Sequence, residues 1–149
     1  MTQRIPLEHI AAGDSCTSTR VTITEAHIVW FAGLTGDFNP LHMDEEAARE
    51  GPFGRRIAHG MLSHAMSTGM RSRIDDWDIL AFLETSRKFK GPVFAGDTLH
   101  YVATVKEVRA SASRTGRGVV RVAMSLRKQD DSVVQEGEDV FLVAAGSAS

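Results

Sequence analysis

Apolar and polar positions change rhythm near the middle of the chain. In the first half, apolar residues recur at helical spacing between breaks that carry Gly and Pro. Thr24 is placed to N-cap a helix on which Ile28, Phe31 and Ala32 share one face, ending near Gly33 or Gly36. A loop with Asp37, Asn39 and Pro40 follows. Asp44 then caps a second short helix that runs through Arg49 and is broken by Gly51, Pro52 and Gly54. From Ile57 to Met70 the apolar residues cover most of a helical circumference, with few charges to claim a solvent face, so the pattern predicts a helix that must be wrapped. The second half supplies the wrapping. Leu99 to Val108, Val119 to Leu126 and Val133 to Val143 are Val-rich and partly alternating, with turns at Ser111–Gly118 and Gln129–Ser132, and an earlier strand is expected through Ile79 to Phe89. Three or four antiparallel strands around one buried helix make an α+β domain, and the order does not suggest a parallel βαβ sheet.

With 149 residues and 42 % apolar content, the chain reads as one domain over residues 1–149 that builds its core without cross-links. Residues 144–149 are small and polar and are expected to fray. Charge is near balance, with 17 Lys and Arg against 19 Asp and Glu, so no net field gathers nucleic acid or an anionic membrane as partner. A single cysteine, Cys16, excludes an intramolecular disulfide and fits a reducing compartment, the cytoplasm. Arg4, Glu8 and His9 interrupt the N-terminus, so no signal peptide is read there, and no window approaches the roughly 18 apolar residues of a membrane span.

Chemistry concentrates in Gly36-Asp37-Phe38-Asn39-Pro40-Leu41-His42. Pro40 keeps the segment from regular helix, so the loop can turn Asp37 and His42 toward one point. A carboxylate and an imidazole facing one water make a competent acid–base pair. The bland alternative is that Asp37 and Asn39 form Asx turns and His42 is an ordinary histidine. Ile57-Ala58-His59-Gly60-Met61 opens the buried helix with a glycine in its first turn, where N–H groups lack intrahelical partners. Such an amide can stabilise the charge that a thioester carbonyl gains as water adds at the β-carbon. Alternatively, Gly60 only permits close packing.

Other candidates carry less. His59 and His64 are five apart and so on different faces of a helix, and no metal is assigned. Met61, Met66 and Met70 suit an acyl pocket or plain core. Arg71, Arg73, Arg87 and Lys88 read as solvated rather than phosphate-binding. There is no Gly-x-Ser-x-Gly elbow, and Gly116-Arg117-Gly118 belongs to a hairpin loop, not a phosphate loop.

Taken together, Gly-Asp-Phe-Asn-Pro-Leu-His and Ile-Ala-His-Gly-Met resemble the signature of the MaoC-like family of (R)-specific enoyl-CoA hydratases. Phe89-Lys90-Gly91-Pro92-Val93-Phe94-Ala95-Gly96-Asp97-Thr98-Leu99 is similar to the strand and turn that family places after its central helix. The resemblance implies a hot-dog fold, a long central helix wrapped by an antiparallel sheet, and a homodimer or higher homo-oligomer. It also implies an acyl-CoA thioester as substrate, no cofactor, Asp37 and His42 holding the attacking water, and Gly60 N–H on the thioester carbonyl. Asn39 matches the family's loop asparagine. Relatives carry a serine about two turns into the helix, where ungapped alignment from His59-Gly60 puts Thr68, with Ser67 adjacent.

The expected activity is reversible hydration of a trans-2-enoyl-CoA to an (R)-3-hydroxyacyl-CoA. Rival readings are a dehydratase acting on acyl-carrier-protein or branched dicarboxylic enoyl-CoA thioesters, a hot-dog thioesterase, and a non-catalytic acyl-CoA-binding subunit. Phe53, Met66, Met70, Trp77 and Phe82 are candidates for limiting acyl length.

Overall fold

Long strands dominate the second half of the chain because its Val-rich segments alternate faces. In a computed structural model, which describes residues 4–146, the elements run β1 (Ser15–Thr17), β2 (Val21–Thr22), α1 (Glu25–Thr35), α2 (Pro40–Met43), α3 (Glu45–Glu50), α4 (Gly60–Ser67), β3 (Ile79–Phe89), β4 (Thr98–Ala110), β5 (Arg117–Arg127) and β6 (Val133–Ala144). The sheet has the order β1-β4-β5-β6-β3, all neighbours antiparallel, and β2 pairs with β4 outside that path. This is the hot-dog arrangement, α+β, with α4 as its central helix.

Strand β5 shows why the sheet forms. Gly118, Val120, Val122, Met124 and Leu126 point inward at every second position and are buried. Each fully buried valine stabilises the fold by about 1.5–3 kcal/mol relative to exposure. Ile23, Ile28, Leu99, Val134 and Val143 complete one hydrophobic cluster with them.

Helix α1 begins and ends as its sequence dictates. The Thr24 hydroxyl accepts the His27 N–H, and Gly36 takes the left-handed conformation, φ 79°, at the C-cap. Ile28 and Ala32 are buried and Phe31 is half-buried, whereas Trp30 and Leu34 stay exposed.

The central helix differs from its expected span of Ile57 to Met70. It covers only Gly60–Ser67. Residues 57–58 are drawn into extended pairing, with Ile57 N–H on Leu41 O and Ala58 N–H on Val93 O. At the far end, Gly69 and Met70 close tight turns onto Met66 O and Ser67 O. Its surroundings also differ from the apolar reading: Ser63, His64 and Ser67 are buried beside Leu62, while Met61 is exposed. Methionines count as apolar in a periodicity but tolerate the surface, and of the polar side chains His64 meets Thr85 on the sheet while Ser67 donates to His64 O within the helix.

The expected frayed tail is held at its start. Ala144 belongs to β6, Ala145 N–H donates to Gly116 O, and Gly146 N–H donates to the Glu8 carboxylate; residues 147–149 lie outside the described residues. Among the described residues, no helix is long and apolar enough to cross a membrane.

Candidate active site

The loop after α1 is shaped by short polar side chains that bond their own backbone. Asp37 N–H donates to Thr35 Oγ1, Asn39 N–H to Asp37 Oδ1, and Leu41 N–H to Asn39 Oδ1. The Asx turns of the bland reading are therefore real. They occupy Asp37 Oδ1 and leave Oδ2 facing His42. Pro40 does not prevent helix, as the sequence reading had it, but opens the turn α2 at its first position, where a missing N–H is harmless. That turn carries His42 inward.

His42 Nδ1 lies 2.8 Å from Ile57 O. A carbonyl oxygen only accepts, so Nδ1 carries the proton and the lone pair is on Nε2. Nε2 stands 3.9 Å from Asp37 Oδ2, with the imidazole buried and the carboxylate half exposed. That separation is too long for a direct hydrogen bond and is suited to one water accepted by both groups. Arg56 secures the outer side of the turn, donating to Glu25, Glu45 and the His42 carbonyl.

His59, which the sequence reading weighed only as a metal ligand, ties these two residues together. Its ring stacks on that of His42, centroids 3.9 Å apart, and its Nε2–H donates to the Asp37 carbonyl at 3.0 Å. Asp37, His42 and His59 bring one potential donor atom each within 4.8 Å. Stacked imidazoles aim their lone pairs side by side rather than at one point, and His59 Nε2–H is already committed, so the arrangement favours proton chemistry over a metal centre. The only signal for His59 in the sequence was its place beside Gly60.

His42 and Gly60 share a cavity of about 540 Å³ with Phe53, Ser63, Phe89 and Gln135. Gly60 N–H has no acceptor among the described residues, and its carbonyl accepts Gln135 Nε2–H at 2.8 Å. A Cβ at Gly60 would sit 2.6 Å from Cε1 of Phe89. A side chain here would have to displace the Phe89 ring, which is 56 % exposed, and the Gly60 amide is free for a ligand. Asn39 stays exposed and holds the loop by its N-cap bond.

Thr68 is not brought to this cavity. It caps the C-terminus of α4, about 12 Å along the axis from Gly60, and its hydroxyl donates to Ala65 O. It lines a separate cavity of about 260 Å³ with Ser67, Met70 and Phe82. Of the residues proposed to limit acyl length, only Phe53 lines the His42 cavity.

Arg87 corrects the reading of the basic residues as solvated. It is buried and forms a two-point ion pair with Asp139, both contacts 2.8 Å, and Thr85 Oγ1–H donates to Asp139 Oδ1. Thr85 also meets His64 Nε2 at 3.3 Å. Burial first, and then the charge of Arg87, holds the His64 imidazole below its ordinary range, with Asp139 opposing.

The MaoC like domain family matches residues 10–126. A protein of Rhodospirillum rubrum named (R)-specific enoyl-CoA hydratase is 40 % identical over 99 residues, covering 66 % of this chain and 67 % of its own length. The crystal structure of the MaoC-like dehydratase from Rhodospirillum rubrum superposes with a TM-score of 0.82 at 29 % identity, covering 97 % of this chain and 99 % of the other. A Mycobacterium tuberculosis protein described as a double hotdog fold superposes with a TM-score of 0.81 over all of this chain and 47 % of its own; at 16 % identity it supports the fold alone.

Proposed function

The chain belongs to the MaoC-like domain family, whose relatives are named hydratases and dehydratases, and from that premise we propose that it adds water reversibly across trans-2-enoyl-CoA to give an (R)-3-hydroxyacyl-CoA. The observation that carries the reading is the pair of acceptors, His42 Nε2 and Asp37 Oδ2, 3.9 Å apart, with His42 on the wall of a cavity that Gly60 also lines. One water bridges them. His42 Nε2 takes one of its protons while Asp37 accepts the other hydrogen and aims the oxygen at the β-carbon. The electron pair of the C=C bond moves toward the thioester carbonyl, whose oxygen gains charge against Gly60 N–H. The imidazolium Nε2–H then supplies a proton to the α-carbon, so water's atoms are all accounted for and no cofactor or metal is called on. In reverse, the same groups dehydrate.

The fold also supports a homodimer. β3 is an edge strand, and Leu80, Phe82 and Leu83 on it are 50, 48 and 52 % exposed. A second copy of the chain pairing along this edge covers them and extends the sheet. Leu83→Glu is expected to give a monomer by size-exclusion chromatography.

The activity test follows enoyl-thioester absorbance with crotonyl-CoA and a longer trans-2-enoyl-CoA. Wild type is expected to remove the band, and Asp37→Asn and His42→Ala, shown to be folded, to slow it by about 10²-fold or more. Release of free CoA with the enoyl band intact would mean a thioesterase instead. A wild type that leaves both substrates untouched overturns hydration of simple enoyl-CoA.

A further inference from the structure

Two residues on the wall of the His42 cavity each carry a buried polar atom with no protein partner among the described residues: the hydroxyl of Ser63, a residue 0 % exposed, and Oε1 of Gln135, a residue 2 % exposed. Both residues line the cavity, in walls otherwise largely apolar, and leaving such groups buried and unpaired destabilises the fold. A core that needed only packing would place Ala and Leu there. Neither residue takes part in the proposed water addition.

Their position fixes which part of a substrate meets them. On the cavity wall Phe53, Met61 and Phe89 are 40, 55 and 56 % exposed and mark its solvent side, whereas Ser63 and Gln135 are buried and mark its inner side. The arm that joins an acyl group to its carrier must leave through the solvent side, so the inner side receives the acyl group's own terminus. Ser63 follows Gly60 by three residues, about 4.5 Å along the helix axis. A four- or five-carbon acyl group spans that distance.

The hydrogen-bonding character of the pair fixes the chemistry. Gln135 Nε2–H is committed to Gly60 O, and turning the amide over would set two oxygens against each other, so Oε1 is the unpaired atom and can only accept. Ser63 can donate. A hydroxyl on the acyl group donates to Gln135 Oε1 and accepts from Ser63, a methyl leaves both unpaired, and a carboxylate, with no proton to donate, sets one acceptor against another at Oε1.

Resting on the hydratase reading above, we propose that Ser63 and Gln135 are specificity-determining residues for short 2-enoyl thioesters that carry a hydroxyl at the end of the acyl chain. A site that hydrogen-bonds a substrate hydroxyl discriminates strongly against the analogue that lacks it.

The test compares kcat/KM for 4-hydroxybut-2-enoyl-CoA, its apolar isostere pent-2-enoyl-CoA, the carboxylate but-2-enedioyl-CoA, and crotonyl-CoA. Wild type is expected to prefer the hydroxylated substrate over pent-2-enoyl-CoA by about tenfold or more, with the carboxylate poorest. Ser63→Ala, which removes one atom and adds none, is expected to narrow that ratio about tenfold; Gln135→Met is expected to act in the same direction. Equal rates, a preference for pent-2-enoyl-CoA, or a ratio unchanged in Ser63→Ala overturns the assignment. If crotonyl-CoA and pent-2-enoyl-CoA are hydrated well in that case, the hydratase reading stands and only this inference falls. If no substrate is hydrated, both fall together.

Discussion

The imidazole of His59 lies against that of His42, ring centroids 3.9 Å apart and planes 28° from parallel. His59 thus touches one member of the proposed pair through its ring and the other through its Nε2–H bond to the Asp37 carbonyl. It sits in the N-cap of α4, so the helix that presents Gly60 also sets the spacing of Asp37 and His42.

Replacing His59 with Phe keeps a flat ring over His42 and removes the bond to Asp37 O. The loop loses one anchor, worth about 1 kcal/mol of stability, but the reacting groups lose their registration, for which small displacements are costly. His59→Phe is therefore expected to lower kcat by about tenfold or more with little change in KM, while the thermal midpoint drops only slightly. His59→Gln, which can still donate to the carbonyl, is expected to recover part of the rate. A large fall in melting temperature with kcat unchanged would make His59 merely structural.

Arg87 and Asp139 are buried partners from β3 and β6. Asp139→Ala leaves a guanidinium out of water without its counter-ion, which costs about 3–5 kcal/mol in comparable sites. Urea unfolding is expected to show that loss, and Arg87→Met with Asp139→Leu together to restore most of it, because well-packed apolar side chains replace a buried pair at little cost. A double variant as unstable as Asp139→Ala would contradict the account.

Much of this architecture was legible in sequence. The cores of β4, β5 and β6 followed from their Val-rich, partly alternating runs, the β3 span of Ile79–Phe89 was expected as well, and of the two ends open to α1, Gly33 or Gly36, the structure takes Gly36. β1 and β2 were missed, since three and two residues are too few to show a period. The long helix shortened because its ends bond to neighbours that no local pattern reveals. The same limit applies to the candidate site: Asp37 and His42 share one loop and can be paired from sequence, whereas Ser63 and Gln135, or Arg87 and Asp139, meet only through the sheet. A lone serine in a helix or glutamine in a strand carries no signal until its partner is placed.

His64 links stability to pH. Folded, it is held neutral by burial first and by Arg87 second, with Asp139 opposing; unfolded, it takes up a proton near its ordinary value of 6.5. Below that value and above the folded-state one, the unfolded chain binds the extra proton, so stability rises with pH. The contribution is intact above pH 6.5 and is lost as pH falls toward the folded-state value. The urea midpoint of wild type is expected to decline between about pH 7.5 and about pH 5.5, and His64→Gln to decline less. Parallel declines in the two proteins would show that other groups set the dependence.

Gly137 gives the sharpest packing test. It pairs with Arg87 across the β3–β6 ladder, and a Cβ built on it falls 1.9 Å from Ser86 O and 3.1 Å from Arg87 Cα. Those atoms belong to backbone, which cannot swing aside as a ring can, so accommodating alanine means parting the two strands. The strands carry the Arg87–Asp139 pair two residues further along β6, and widening them there strains that pair as well. Gly137→Ala is expected to destabilise the protein by about 3 kcal/mol or more, at the upper end of overpacking costs. Gly33→Ala, at an exposed position in α1 with nothing within 4 Å of the new Cβ, is expected to be neutral or stabilising by up to about 1 kcal/mol. Chemical unfolding of the two variants side by side separates the steric requirement from the general effect of removing a glycine, and a Gly137→Ala midpoint equal to wild type would refute this β3–β6 register.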